Sequence, residues 1–363
     1  MQLWRELCSR LSELKYEKPS GRCALPLDKN ENLLVPKEFI EELVSRAVSE
    51  ADPRLYPAPE LEAELEEALA KRRSVDPDMV VVTSGADEAI SLLLDAVKLA
   101  SRNPSPLSVS LKPSYSVYVS LSRVKGFRVE FVDIEEETFR IEAEDLAEKA
   151  SRADVVLLCD PNNPTGNRLG SEVVRSAVEN AGGLVVVDET YLMFADDSRS
   201  IAGSSENLAV VGSFSKTFGL AGLRLGYVIA EPHLAGLLKT LRLPYQVNSI
   251  ALRAGLLALT LSKYFEECVE RARRIRRALV ARLSEVPELR VYDTQTNFIL
   301  AKAAVSAKRL SEETSMRGVC IRAYEGLFRR GDSYIRISLP PENLLGYVES
   351  VIRDGVEAAK SSY

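Results

Sequence analysis

Two hydrophobic patterns alternate along the chain between about residue 60 and residue 245. Short runs rich in valine and leucine, typical of buried strands, are separated by longer stretches whose apolar residues recur at helical spacing. The runs that predict strands are residues 79–83, 107–111, 128–132, 155–159, 184–188, 208–212 and 224–230. This alternation predicts an α/β fold in which a mostly parallel sheet is covered by helices on both faces.

The pattern changes in the last third of the chain. A long helical pattern over residues 261–285 leads to three short strand patterns at residues 297–301, 319–322 and 334–338. Residues 1–17 have the spacing of an amphipathic helix and lack the uninterrupted apolar core of a signal peptide. We expect a large domain near residues 46–245 and a smaller α+β domain formed by residues 1–45 and 246–363.

Composition argues against several classes of function. The chain has 363 residues, 46% of them hydrophobic, and a formal net charge of −6, whereas a dedicated nucleic-acid binder would be basic. The arginine-rich stretch at residues 271–277 lies in a helical pattern that also contains glutamates, which predicts a solvated helix face. No apolar run approaches transmembrane length, so we expect neither a nucleic-acid nor a membrane partner.

Histidine and cysteine usage gives little support for a metal centre. His233 is the single histidine, so the chain has few imidazole ligands for a transition metal. It also has only one candidate base for a His-dependent catalytic triad. The cysteines form no CxxC pair; they are Cys8, Cys23, Cys159, Cys268 and Cys320. We therefore expect no metal, reduced thiols and a cytoplasmic location.

A lysine beside a phosphate-binding pattern carries the strongest chemical signal. Lys216 follows a predicted strand in a turn with two hydroxyls, Ser213 and Ser215, and Arg224 comes eight residues later. The alternative is an ordinary surface lysine in a glycine-containing loop, which would not explain why Ser213, Ser215 and Arg224 are present as well. The hydroxyls and the guanidinium can bind a phosphate while the amine forms a Schiff base with an aldehyde, as pyridoxal 5′-phosphate (PLP) requires.

Two more strand ends supply polar groups where open parallel sheets place ligands. Asp188 ends a valine-rich run, and a buried carboxylate there can keep the pyridine nitrogen of PLP protonated. Tyr191 can donate to the phenolic oxygen of the same ring. Asn163 can bond that oxygen as well, from a turn rich in Asn, Pro and Gly.

Two further segments are weaker evidence by themselves. Gly85 precedes a predicted helix over residues 86–100, whose first N–H groups can bind a phosphate, although Ser and Asp are also common helix caps. Tyr115 and Tyr118 can offer an aromatic face to the PLP ring or simply pack together.

These motifs together resemble fold type I PLP enzymes of the class I/II aminotransferase group. Within that group the sequence is similar to histidinol-phosphate aminotransferases. The likeness runs nearly end to end, through the motifs at residues 27–32, 56–57, 85–88, 113–115, 161–166, 188–191, 213–227, 297–298 and 336–338. The resemblance implies a large PLP-binding domain and a smaller α+β domain.

The resemblance also implies a role for each site residue. Lys216 would carry PLP and move protons, Asp188 would meet the ring nitrogen, and Tyr115 would stack on the ring. Asn163 and Tyr191 would bond the ring oxygen. The phosphate would be held by Ala86, Asp87, Ser213, Ser215 and Arg224, and by Tyr56 of the neighbouring subunit, which makes the active unit a homodimer.

The substrate end of the site departs from the family pattern at two places. Arg336 and Arg322 would bind the anionic end of the substrate. After the Asn-Glu-Asn motif the family usually has Pro and an aromatic residue that reaches the substrate, where this chain has Leu33-Leu34. After residues 336–338 the family usually has Gly-Thr, where this chain has Leu339-Pro340. We expect both changes to remove polar or flexible groups near the substrate.

The leading interpretation is transamination between histidinol phosphate and 2-oxoglutarate. Three alternatives remain open: a decarboxylase similar to threonine-phosphate decarboxylase, an aminotransferase for aromatic or other amino acids, and a non-catalytic PLP sensor. The sensor is disfavoured because the lysine and its electronic partners are all present. The amino donor stays undecided, since many substrates share this fold and cofactor site.

Overall fold

The computed structural model describes residues 23–360, so the helix predicted over residues 1–17 lies outside the described part. Within these residues, no helix combines the length and the apolar composition that a membrane span requires. The strands are β1 Leu25–Pro26, β2 Val80–Thr83, β3 Leu107–Lys112, β4 Arg128–Asp133, β5 Val155–Cys159, β6 Leu184–Asp188, β7 Leu208–Ser213, β8 Gly226–Ile229, β9 Leu289–Val291, β10 Phe298–Ala303, β11 Val319–Cys320, β12 Arg322–Glu325 and β13 Ser333–Ser338. The helices are α1 Lys37–Ser49, α2 Pro59–Arg73, α3 Ala86–Ala100, α4 Ser116–Val124, α5 Ala143–Ser151, α6 Ser171–Asn180, α7 Pro232–Leu241, α8 Ser249–Thr260, α9 Ser262–Ser284, α10 Ala307–Met316 and α11 Leu345–Lys360.

Seven strands form one large sheet in the order β2-β8-β7-β6-β5-β3-β4. β8 runs antiparallel to both of its neighbours, and the other neighbouring pairs are parallel. The prediction of an α/β fold with a mostly parallel sheet is confirmed. The bounds predicted for β5, β6 and α3 agree with the structure residue for residue.

Both faces of the large sheet are covered, which explains why its central strands are rich in valine and leucine. In β6, Val185 and Val187 pack in one hydrophobic core, whereas Val186 packs in a second core. Successive side chains of a strand point to opposite faces, so these two cores lie on the two sides of the sheet. All of β5 is likewise buried.

Three central strands end side by side and bring chemistry-bearing segments together. Cys159 at the end of β5 lies opposite Asp188 at the end of β6, and Asp188 lies opposite Val211 of β7. Because the strands are parallel, the turns that follow them leave the sheet at the same edge. The site predicted from the sequence therefore has one location.

A smaller sheet of four antiparallel strands has the order β12-β13-β10-β9. It packs with α9, α10 and α11 around a separate core that includes Leu279, Leu310 and Ile352. The single strand predicted over residues 319–322 is wrong, because the chain changes partner at Ile321: β11 pairs with β1, whereas β12 pairs with β13. The division into domains at residues 45 and 245 stays a prediction.

The expectation of reduced thiols is wrong for one pair of cysteines. Cys23 and Cys320 form a disulfide with their Cα atoms 5.7 Å apart, although 297 positions separate them in the sequence. The parallel pairing of β1 with β11 brings the two residues together. Cys159 and Cys268 are buried free thiols.

The arginine-rich stretch of α9 is only partly the solvated face that its charges predict. Arg276 is buried and donates to the carbonyl of Phe194 at 2.9 Å and to Asp196 at 3.0 Å. Arg273 donates to the carbonyl of Met193 at 3.0 Å. These arginines bind the carbonyl end of the short 3₁₀ helix Leu192–Phe194 and so have a structural role.

Candidate active site

A cavity of about 790 Å³ lies where β5, β6 and β7 end. Its other walls include the N-terminal end of α3, residues 28–30, the segment from the end of β3 into α4, and parts of β12 and β13. Tyr56 is the one predicted site residue that does not line it. The predicted residues that do are Ala86, Asp87, Tyr115, Asn163, Asp188, Tyr191, Ser213, Ser215, Lys216, Arg224, Arg322 and Arg336.

Lys216 lies just beyond β7 with its amine inside the cavity. Its Nζ donates to the carbonyl of Lys29 at 2.8 Å. Burial, followed by the positive charges of Arg336 and Arg224, lowers the pKa of Lys216 to about 8. About a tenth of this amine is therefore neutral at pH 7, far more than for an ordinary lysine, and the neutral amine is the form that attacks an aldehyde.

Asp188 is a buried carboxylate at the end of β6. Its Oδ1 accepts from the backbone N–H of Thr190 at 3.0 Å, and its Oδ2 accepts from the hydroxyl of Tyr118 at 2.9 Å. Burial raises the pKa of Asp188, and the hydrogen bonds from Thr190 and Tyr118 act in the opposite direction. A carboxylate held in this way can serve a cationic ring nitrogen.

The N-terminal end of α3 and the turn after β7 form a cradle for an anion. Gly85 has a φ of 84°, and a Cβ at this position would lie 3.0 Å from Nη2 of Arg224. Arg224 also donates to Asp87 at 3.2 Å, and the Oγ of Ser213 accepts from the backbone N–H of Ser215 at 3.1 Å. Backbone N–H groups, two hydroxyls and a guanidinium together suit a phosphate.

Residues 28–30 have a site role that the sequence did not reveal. The carbonyl of Asp28 accepts from Nη2 of Arg336 at 2.7 Å, and Nδ2 of Asn30 donates to the hydroxyl of Tyr191 at 3.0 Å. With the contact to Lys216, this segment touches three predicted site residues. The resemblance includes residues 27–32 among its shared motifs without giving residues 28–30 a role, and burial of Asp28 and Asn30 explains their polar partners.

The cavity contains buried polar atoms whose partners the described residues do not supply. They include Oδ1 of Asp28, Oδ1 of Asn30 and Nε of Arg336. Buried polar atoms are rarely left without a hydrogen bond, so these atoms are suited to a bound polar molecule. Together with the lysine, the carboxylate and the anion cradle, they fit PLP. The described residues contain no cluster of His, Cys, Asp or Glu that could hold a metal ion.

The cavity is strongly basic in a chain that is acidic overall. The acidic residues that line it are Asp28, Asp87 and Asp188. The basic residues that line it are Lys29, Lys112, Arg123, Lys216, Arg224, Arg322 and Arg336. This excess of positive charge favours entry of anionic substrates.

The two departures from the family pattern lie outside the cavity wall. Leu34 and Leu339 are buried in the core of the small sheet, and Leu33 packs against that core. The expectation that these residues alter groups near the substrate is therefore wrong. Their apolar character is explained by packing, not by contact with a ligand.

Comparisons with known proteins agree with the geometry of the site. The sequence model of the family "Aminotransferase class I and II" matches residues 24–351. Histidinol-phosphate aminotransferase 2 of Archaeoglobus fulgidus is 34% identical over 309 residues, which are 84% of this chain and 86% of that protein. The histidinol-phosphate aminotransferase of Methanosarcina mazei is 33% identical over 343 residues, 93% of this chain and 88% of that protein.

Solved structures share the fold at lower identity. The histidinol-phosphate aminotransferase of Sinorhizobium meliloti, in complex with pyridoxal-5′-phosphate, has a TM-score of 0.84 at 21% identity and covers 96% of this chain and 97% of its own. L-threonine-O-3-phosphate decarboxylase of Porphyromonas gingivalis has a TM-score of 0.79 at 23% identity and covers 92% and 99%. With the match over nearly the whole sequence, a lysine, a buried carboxylate and an anion cradle in one cavity identify this chain as a PLP-dependent member of the class I and II aminotransferase family.

Proposed function

We propose that this aminotransferase transfers the amino group of histidinol phosphate to 2-oxoglutarate. The observation that carries the proposal is a pair of like charges in the cavity wall: Arg322 of β12 lies directly opposite Arg336 of β13. The ring of Tyr324 lies 5.7 Å and 5.8 Å from their two guanidinium carbons. Like charges opposite each other destabilise a sheet, and an anion bound between them offsets this repulsion.

A phosphate fits this pair better than a single carboxylate. Arginine presents a planar fork that bonds two oxygens of an anion, so two arginines suit a group with three free oxygens and up to two negative charges. Histidinol phosphate has no carboxylate, and its phosphate would occupy this region. In the second half-reaction the same arginines can hold a carboxylate of the 2-oxo acid. The names of the similar proteins support the same donor.

Each residue of the site has a task in the proposed reaction. PLP, when bound, supplies an electron sink that weakens the bonds to the α-carbon of the amino donor. Asp188 keeps the ring nitrogen protonated, and Asn163 and Tyr191 bond the ring oxygen. Lys216, with a pKa lowered to about 8, can accept the α-proton and deliver it again. The arginine pair orients the donor so that a C–H bond and not a C–C bond is broken.

A pair of matched substrates tests this proposal. Arg322→Ala should raise the KM for histidinol phosphate about tenfold or more, because a charge-assisted contact is lost, and should leave the KM for histidinol within about threefold. Arg290→Ala is the control, since this exposed arginine of β9 pairs with Glu137 and does not line the cavity. Equal losses for both substrates would contradict phosphate binding by Arg322.

The proposal includes a homodimer. Tyr56 is 76% exposed and stacks on Tyr245 at 4.3 Å between ring centroids, beside the exposed apolar residues Leu55 and Leu243. An exposed apolar patch of this kind is suited to a subunit interface. The proposal also includes the cytoplasm as location, and the Cys23–Cys320 disulfide is compatible with it in hyperthermophilic organisms, whose intracellular proteins retain disulfides.

A further inference from the structure

Tyr118 lies outside the cavity but forms a hydrogen bond to a residue of the site. The residue is 1% exposed, lies in α4 and does not line the cavity. Its hydroxyl nevertheless donates to Oδ2 of Asp188 at 2.9 Å. Its ring meets the ring of Tyr115, the residue just before α4, edge-on with centroids 5.4 Å apart.

We infer that Tyr118 is a positioning residue, whose hydroxyl holds the Asp188 carboxylate in the charged form and the orientation needed for the cofactor's ring nitrogen. This role is distinct from that of Tyr115, which lines the cavity. It also does not depend on the amino donor, because it concerns the cofactor site alone. Tyr118 has no surface in the cavity, so its hydroxyl acts through Asp188, whereas its ring packs against Tyr115.

The electrostatic surroundings of Asp188 explain why such a donor is needed. Burial raises the pKa of Asp188, and the nearby charge of Asp87 acts in the same direction. Burial also raises the pKa of the Cys159 thiol well above its usual value, so this neighbour stays neutral and adds no second negative charge beside the carboxylate. Hydrogen bonds from Thr190 and Tyr118 are the opposing influences.

The hydroxyl of Tyr118 is well suited to this task. Burial and the charge of Asp188 raise the pKa of Tyr118 well above its usual value, so the hydroxyl keeps its proton and remains a donor. A charge-assisted hydrogen bond to a buried carboxylate is stronger than one between neutral groups. Without it, the carboxylate would be easier to protonate and would bind a cationic ring nitrogen less tightly.

The test is Tyr118→Phe, which removes the hydroxyl and keeps the ring. The apoenzyme of this variant should bind PLP about tenfold more weakly, because a hydrogen bond to a charged group is lost. The visible spectrum of the bound cofactor should change, and kcat should fall while the KM of the amino donor stays within about twofold.

Tyr334→Phe is the matched control for the loss of a buried hydroxyl. Tyr334 is fully buried and its hydroxyl donates to the carboxylate of Glu136 at 2.8 Å, but neither residue lines the cavity. This variant should lose stability to a similar degree, as measured by melting temperature, and keep the PLP affinity and spectrum of the unsubstituted enzyme.

A double substitution separates positioning from packing. In an Asp188→Asn background, Tyr118→Phe should change PLP affinity by less than about twofold, because the charged acceptor is already absent. An unchanged PLP affinity and spectrum in Tyr118→Phe alone would overturn the inference. So would an equal loss of affinity with and without the Asp188 carboxylate, since this would assign the effect to packing.

Discussion

Replacing Arg336 with alanine removes a guanidinium that connects three segments of the cavity wall. Its Nη1 donates to Oδ1 of Asn163 and its Nη2 to the carbonyl of Asp28, each at 2.7 Å, and the residue is 7% exposed. Its charge also acts on Lys216, where it is the largest influence after burial in lowering the pKa of the amine to about 8. The substitution therefore perturbs both binding and the catalytic lysine.

The expected sizes of the two effects follow from these contacts. A hydrogen bond from a charged donor contributes about 1.5–3 kcal/mol, so loss of one such bond to the substrate should lower kcat/KM about ten- to hundredfold. Loss of the two bonds within the protein sets an upper limit of about 3–6 kcal/mol on the fall in unfolding free energy. Water entering the space of the side chain should reduce this cost.

The pKa of Lys216 distinguishes the effect of the charge of Arg336 from the effect of its hydrogen bonds. Removing a nearby positive charge raises the pKa of a lysine, so less neutral amine is present near neutral pH. The rate at which the Arg336→Ala apoenzyme attaches PLP should therefore have its midpoint at a higher pH than the value of about 8 expected for the unsubstituted protein. Arg336→Lys keeps the charge and should keep that midpoint, while it loses turnover because an ammonium cannot replace the planar fork.

The assay follows the visible absorbance of the cofactor after PLP is mixed with each apoenzyme at a series of pH values. If the Arg336→Ala midpoint stays at the unsubstituted value, Arg336 does not control the lysine. If Arg336→Lys shifts the midpoint as far as alanine does, the effect comes from altered packing and the electrostatic reasoning is refuted.

Three further predictions concern other parts of the molecule. Lys216→Ala should still bind PLP but lose nearly all turnover, and borohydride treatment of the unsubstituted holoenzyme should fix the cofactor to this lysine, as peptide mass spectrometry would reveal. Tyr56→Phe should weaken PLP retention in a homodimer, whereas a fully active monomer in sedimentation would contradict the shared site. Cys23→Ser should lower the unfolding free energy by about 2–5 kcal/mol, and a reductant should lower the melting temperature of the unsubstituted protein but not of the variant.

The strands and the main site residues could be predicted because their signals are local. A strand buried on both faces is mostly apolar, as β5 is throughout and as β6 is up to Asp188 at its end. In parallel strands the carboxyl ends share an edge, which is why Asp188 and Lys216 could be assigned to one site without coordinates. The resemblance then gave the individual roles.

The features that the sequence did not reveal depend on pairing between distant segments. The Cys23–Cys320 disulfide exists because β1 pairs with β11. The change of partner at Ile321 ends one strand at Cys320 and begins another at Arg322. The burial of Arg276 depends on the carbonyl of Phe194 and the carboxylate of Asp196, which lie some 80 positions earlier in the chain. The hydrophobic periodicity of a single segment does not predict which distant segment it will contact.

The contact of Tyr118 was hidden for a different reason. Two tyrosines at helical spacing are explained equally well by packing or by a ligand, and only the second has its hydroxyl on Asp188. For Leu33 and Leu34 the error was the opposite one. Their position beside a family motif suggested contact with the substrate, whereas their side chains pack in or against the core of the small sheet.

A single-turnover comparison of amino donors tests the proposed reaction most directly. The holoenzyme is mixed with histidinol phosphate, phosphothreonine, phenylalanine or glutamate under equal conditions, and conversion of PLP to its amine form is followed by absorbance. We expect histidinol phosphate to convert the cofactor fastest and 2-oxoglutarate to restore it. Carbon dioxide release from phosphothreonine would indicate a decarboxylase, and rapid conversion by phenylalanine without conversion by histidinol phosphate would contradict the proposed substrate.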